Sequence, residues 1–134
     1  MRMQRQTISA FVLTGMLALA ILVGALVPPE IGESTGLPYD GAPIHILAFA
    51  FLVLPLVLMW PRRTGTIVVV SILFGAAIEL IQGFVGRSPE ISDIAADFVG
   101  ILLGAGVGLL FARGLARRRE RPRRGDVTER EAQN

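Results

Sequence analysis

The stretch IVVVSILFGAAIELIQGF, residues 67–84, gives the clearest indication of the fold of this chain. It carries no charge before Glu79, which is its only ionisable residue. A helix of this length rises roughly 27 Å at 1.5 Å per residue, which is enough to cross the hydrocarbon core of a bilayer. A soluble helix of the same length would present a polar face to water. The stretch therefore predicts a transmembrane helix.

Three other stretches have the same apolar character, and they cover residues 8–27, 44–60 and 94–111. Each is long enough to cross a bilayer, and none shows the alternation that is typical of a half-buried strand. We therefore predict an all-α polytopic membrane protein built as a four-transmembrane-helix bundle. The transmembrane domain spans residues 1–112, and residues 113–134 form an Arg-rich cytoplasmic tail, disordered beyond its first turn or two.

The first stretch has a second interpretation, because Arg2 and Arg5 precede an apolar run that contains the small residues of Ala18-Leu19-Ala20. That arrangement is typical of a cleaved signal peptide. However, the apolar run continues to Val27, well past the small residues, whereas the apolar region of a signal peptide is usually about 7–15 residues long. The pattern favours a retained helix.

Composition excludes several other classes of protein. The chain has 134 residues, 52% of them hydrophobic, and no cysteine, so a multi-domain protein, a disulfide scaffold and a Cys-ligated metal site are excluded. All 13 basic residues are Arg, and eight of these lie in the tail. Because residues 1–112 hold more acidic than basic side chains, the chain is not a soluble nucleic-acid-binding domain, and we expect no nucleic-acid partner.

The positions of the arginines predict the orientation. Arg2, Arg5, Arg62, Arg63 and the tail fall on one side of a four-span topology, and only Arg87 falls on the other. The positive-inside rule then places both termini in the cytoplasm and the chain in the cytoplasmic (inner) membrane.

Polar side chains gather at the opposite, outer end of the predicted bundle. Ionisable groups inside a membrane are costly, so they usually mark a functional site or a tight internal pair. Spacings of three and four residues place the polar groups of each helix on one face. The predicted binding residues come from three helices and one loop: His45, Glu79, Gln82, Arg87, Asp93 and Asp97.

Some of the polar residues and glycines near this end also have a structural interpretation. Arg87 would neutralise a carboxylate and fix the register of two helices, or it would contact an anion. Ser92 and Asp93 suit the N-terminus of a helix. Glycines at a spacing of four predict close helix packing rather than ligand binding, and they are Gly100, Gly104 and Gly108.

The pattern Glu79-x-x-Gln82, followed by Arg87 and Ser92-Asp93, resembles the VanZ-like membrane protein family. In that family a Glu-x-x-Gln ends one helix, an Arg lies in the outer loop, and a Ser-Asp begins the next helix. His45 and Phe49 match the His and aromatic residue that open an earlier family helix, and Gly100 and Gly104 match later glycines. The resemblance covers about residues 39–108.

The chain departs from the family pattern at two places. An Asp-Lys pair usually precedes the family His, whereas here the Lys is missing and Asp40 is one place off. Asp97 stands where the family has Asn, which adds a negative charge to the predicted site. The resemblance implies a link to low-level resistance to teicoplanin-type glycopeptides, which act at the cell envelope.

The leading functional hypothesis is an outer-leaflet site for an envelope lipid, a lipid-linked cell-wall precursor or an acyl-bearing glycopeptide. In it, Arg87 contacts an anion, Glu79 and Asp97 are paired carboxylates, and His45 carries a proton near pH 7.

A second hypothesis is an intramembrane enzyme acting on a lipid, although no nucleophile, metal or nucleotide motif is present and we expect no metal or other cofactor. A small proton-coupled transporter is a third hypothesis, and a purely structural membrane module is a fourth.

Overall fold

The structure, a computed structural model, describes residues 2–27, 42–84 and 91–120. These residues form four α-helices and one short 3-10 helix, with no strand in the described ranges. The elements in chain order are α1 Arg2–Leu26, α2 Ala42–Met59, the 3-10 helix Pro61–Arg63, α3 Thr64–Phe84 and α4 Ile91–Glu120. All four α-helices are long and apolar enough to cross a membrane. The predicted all-α, four-span fold is confirmed.

The helices extend beyond the apolar stretches from which they were predicted. α1 begins at Arg2, and α4 continues to Glu120, so the first two turns of the predicted tail are helical. Hydropathy reports which residues can lie in hydrocarbon, whereas backbone hydrogen bonding continues into the polar segments that flank a span. Arg, Ala and Leu are good helix formers, which suits continuation of α4 through 113–120. Residues 121–134 lie outside the described residues.

A tight corner joins α2 to α3 at Trp60. The Trp60 backbone N–H donates to Leu56 O at 2.8 Å, and the Arg63 N–H donates to Trp60 O at 2.9 Å. The Thr64 hydroxyl donates to Pro61 O at 2.7 Å. Pro61 begins the 3-10 helix, where it needs no N–H donor. This corner makes α2 and α3 antiparallel neighbours.

The most extensive helix contact is between α2 and α4. A Cβ placed on Gly100 would collide with Ile46 O, and one placed on Gly104 would collide with Ala50 O. The two helices therefore touch backbone to backbone, and they run parallel because successive glycines meet successive turns of α2. Side chains from three helices form the core beside this contact: Phe49, Leu52, Val53, Ile78 and Ile101.

The bundle has two chemically different ends. At the end where α1 and α3 finish and α2 and α4 begin, Gln82 contacts Ala25 and His45 contacts Asp97. We call this the polar end. At the opposite end the ring of Phe11 lies 5.0 Å from that of Trp60, beside Arg62 and Arg63 at the corner. We call this the basic end.

Candidate functional site

A histidine–aspartate pair lies at the centre of the polar end. His45, in the first turn of α2, places Nδ1 2.8 Å from Oδ1 of Asp97 on α4. A carboxylate oxygen accepts such a bond, so Nδ1 of His45 is the donor. The bond joins side chains 52 positions apart in the chain, and it fixes the orientation of the imidazole ring.

Asp93 supplies a second carboxylate to the same ring. Its Oδ2 lies 3.6 Å from Nε2 of His45, one helical turn along α4 from Asp97. The side chains are mostly buried, with exposed fractions of 17% for His45, 14% for Asp93 and 6% for Asp97. The imidazole therefore lies between two aspartates on one face of α4, with restricted access to water.

Glu79 adds a third carboxylate from α3. It is buried, with 5% of its surface exposed, and both of its carboxylate oxygens are buried. Glu79 interacts electrostatically with His45, as do both aspartates. Three acidic groups from two helices thus surround the one histidine of the chain. We call His45, Glu79, Asp93 and Asp97 the acid–histidine cluster.

Gln82 lies one turn beyond Glu79 and is also buried. Its side-chain Nε2 donates to the backbone carbonyl of Ala25 at 2.9 Å. This bond joins the last turn of α3 to the last turn of α1. Gln82 is thus a contact between helices, and its side chain also lines a cavity beside His45.

Two glycines make space for the His45–Asp97 pair. A Cβ on Gly75 of α3 would lie 3.0 Å from Oδ2 of Asp97 and 3.3 Å from the Phe49 ring. On the other side, Gly100 lets α4 approach the backbone of Ile46, the residue that follows His45. Gly75 is not among the residues predicted from the sequence. Its signal is a small residue four positions before Glu79, on the same helix face.

Apolar cavities lie on both sides of the acid–histidine cluster. One of about 340 Å³ lies between α1, α2 and α3, and His45 and Gln82 line it together with apolar residues such as Ile21 and Phe51. Another of about 300 Å³ lies between α3 and α4, beside Asp97 and Gly75. Each cavity thus combines a polar residue with walls that suit a hydrocarbon chain.

The structure brings four of the six predicted site residues into one cluster and places Gln82 beside it. Arg87 lies outside the described residues. Gly100, Gly104 and Gly108 all face α2, and a Cβ placed on Gly108 would lie 2.7 Å from Val57. Within residues 2–27, 42–84 and 91–120, no group of three or more metal-ligating side chains is arranged to hold a metal ion.

Four spanning helices with a buried acid–histidine cluster define a multi-pass membrane protein with a polar site inside the bundle. A family model described as VanZ/LLP1 matches residues 41–112, more than half of the chain. The chain therefore belongs to the VanZ/LLP1 family, in agreement with the VanZ-like resemblance of its sequence. The match includes every residue of the acid–histidine cluster. No curated protein and no solved structure matches the chain significantly.

Proposed function

We propose that the polar end binds the head of an amphipathic molecule of the cell envelope. The molecule would be an envelope lipid, a lipid-linked cell-wall precursor or an acyl-bearing glycopeptide of the teicoplanin type. One observation carries the proposal: His45 belongs both to the acid–histidine cluster and to the wall of the 340 Å³ apolar cavity. A molecule with a polar head and a hydrocarbon chain matches that pairing of surfaces.

The chemistry of the cluster favours a head rich in hydrogen-bond donors. Carboxylates accept hydrogen bonds, so Glu79, Asp93 and Asp97 suit the hydroxyl and ammonium groups of sugars and amines. His45 can give or take a proton at Nε2 because Asp97 holds Nδ1. Arg87 keeps its proposed role as the contact for an anionic group on the same molecule.

The proposed orientation places the polar end in the outer leaflet of the cytoplasmic membrane. Twelve of the 13 arginines fall on the side of the termini and the α2–α3 corner, which supports a cytoplasmic location for that side. The acid–histidine cluster would then face the compartment in which cell-wall precursors and glycopeptides meet.

Expression in a glycopeptide-susceptible host tests the proposal. The chain should raise the concentration of teicoplanin that inhibits growth or change the envelope lipid profile, and Glu79→Ala and Arg87→Ala should each remove the effect. Arg62→Gln, at the basic end, is the matched control and should keep it. Unchanged antibiotic and lipid phenotypes in both polar-end variants, at equal protein level, would reject the proposal.

The oriented imidazole favours a second candidate, an enzyme acting on a lipid substrate. Asp97 bonds Nδ1, so Nε2 is the nitrogen that can exchange a proton, as general acid–base catalysis requires. Purified protein would then convert a radiolabelled envelope lipid, and His45→Gln would stop turnover. Binding without turnover by the unaltered chain favours the first candidate.

A further inference from the structure

A separate cavity lies at the basic end, far from the acid–histidine cluster. Its volume is about 510 Å³, larger than either polar-end cavity, and it lies between α1, α2 and the first half of α3. Trp60 and Arg63 line it near the α2–α3 corner, and Leu52 and Phe74 line it deeper in the bundle. The cavity is partly open rather than enclosed, and Val70 on its wall is exposed.

The wall of this cavity is charged at one end and mostly apolar along the rest of its length. Arg63 lies at one end, and Ile67, Ser71 and Phe74 follow it on one face of α3 at spacings of three or four residues. The distance from Arg63 to Phe74 along the helix is roughly 16 Å at 1.5 Å per residue. Trp60, packed against Phe11, lies beside the arginine in the position that aromatic residues occupy at membrane interfaces.

A buried hydroxyl lies between the charged and apolar parts of the cavity. Thr14 of α1 lines the wall one turn from Phe11. Its Oγ1 is buried and has no hydrogen-bond partner within the part of the chain that the structure describes. A buried hydroxyl without a partner is costly, so an acceptor supplied by a ligand would lower the free energy.

We propose that the basic-end cavity binds an anionic phospholipid. The phosphate lies against Arg63, an ester oxygen accepts a hydrogen bond from Thr14, and one acyl chain lies along α3 as far as Phe74. Basic residues between transmembrane helices are a typical site for anionic headgroups, and the arginine selects against a neutral headgroup. None of the residues of the acid–histidine cluster takes part, so this site is independent of the one proposed at the polar end.

Native mass spectrometry of the purified full chain tests this site, with phosphatidylglycerol and phosphatidylcholine as the probes. The unaltered chain should retain phosphatidylglycerol in preference to phosphatidylcholine. Arg63→Gln should lower the retained phosphatidylglycerol about fivefold, the effect of one arginine near a membrane surface. Arg62→Gln is the matched control, because Arg62 carries the same charge as Arg63 and lies in the same 3-10 helix but does not line the cavity.

A second variant tests the apolar part of the cavity. Val70 lines the wall but is 59% exposed, so Val70→Trp fills the cavity without disturbing the core. We expect it to lower phosphatidylglycerol retention at an unchanged unfolding temperature, and inorganic phosphate should not displace the lipid. Equal losses in Arg62→Gln and Arg63→Gln, equal retention of phosphatidylcholine, or displacement by phosphate would each overturn the proposal. So would full retention by Val70→Trp.

Discussion

His45 is the residue at the centre of the polar end. Its ring is held by Asp97 at 2.8 Å and faces Asp93 at 3.6 Å. Because His45 is the only histidine in the chain, a nitrogen NMR spectrum of the imidazole reports on this residue alone. That spectrum therefore reports directly on the hydrogen bonding of His45.

Substitution of Asp97 tests the bond to His45. Asp97→Asn keeps an oxygen acceptor for Nδ1, and so we expect it to preserve the fold and the Nδ1-protonated form of the ring. Asp97→Leu removes the acceptor and should lower the free energy of unfolding by about 1–3 kcal/mol. Chemical unfolding in detergent and the imidazole spectrum measure the two effects. Equal spectra for Asp97→Leu and the unaltered chain would show that the bond is absent.

Gly75 is predicted to control the position of Asp97. A methyl group there would lie 3.0 Å from the Asp97 carboxylate, so Gly75→Ala should shift that side chain and change the His45 spectrum. We expect a cost of about 1–3 kcal/mol in the free energy of unfolding. Gly65→Ala is the control, because a Cβ on Gly65 meets nothing within 4 Å. A Gly75→Ala spectrum identical to that of the control would contradict the close packing of Gly75 against Asp97.

The sequence predicted that His45, Glu79 and Asp97 lie at one end of the bundle, but not which side chains they contact. An ionisable side chain inside a membrane raises the free energy, so His45, Glu79 and Asp97, each beside a long apolar run, were predicted to be functional. Which carboxylate meets the histidine depends on the rotation of each helix about its axis, and residue counting along the chain gives only depth. The importance of Gly75 likewise depends on its contact with Asp97, which is a property of tertiary packing.

At the scale of helices, the contact between α2 and α4 determines the architecture. Only residues 85–90 connect α3 to α4, and these two helices do touch. Nevertheless, α4 makes its most extensive contact with α2, because Gly100, Gly104 and Gly108 allow the closest approach there. Small residues permit dispersion contacts between backbones in a lipid environment, where apolar burial gives little driving force.

Paired substitutions on α4 test this contact. A Cβ on Gly104 would collide with Ala50 O and lie 2.6 Å from Val53, whereas one on Gly106 meets nothing within 4 Å. Gly104→Ala should therefore lower the free energy of unfolding by about 1–3 kcal/mol or more. Gly106→Ala should be neutral or stabilising by about 0.5–1 kcal/mol, since Ala is the better helix former. Equal stabilities of the two variants in detergent would contradict a backbone contact between α2 and α4.

At the scale of the whole molecule, apolar length predicted the number of helices well because a bilayer fixes the length of a span. The ends were less well predicted, since α4 continues into charged sequence that hydropathy assigns to the tail. The bundle then separates its charges, with the acid–histidine cluster at one end and Arg62 and Arg63 at the other. That separation supports the proposed orientation.

Cysteine labelling tests the orientation, and the chain has no native cysteine to interfere. Ile91, at the polar end, is 85% exposed, and Arg117 lies near the opposite end of the same helix. A membrane-impermeant maleimide should label Ile91→Cys on intact cells and should label Arg117→Cys only after lysis. The reverse pattern would place the polar end in the cytoplasm and would remove the envelope ligand from reach.

Binding to the purified full chain in nanodiscs tests for a ligand site at the polar end, with a fluorescent teicoplanin-type glycopeptide and a labelled lipid-linked cell-wall precursor as probes. We predict saturable binding of at least one probe, and a loss of about tenfold or more in affinity for Glu79→Gln and His45→Gln, because each removes a buried polar contact. Arg62→Gln and Gly106→Ala should bind as the unaltered chain does. Absence of saturable binding, or equal affinity in all five proteins at equal folded fraction, would contradict a ligand site at the polar end.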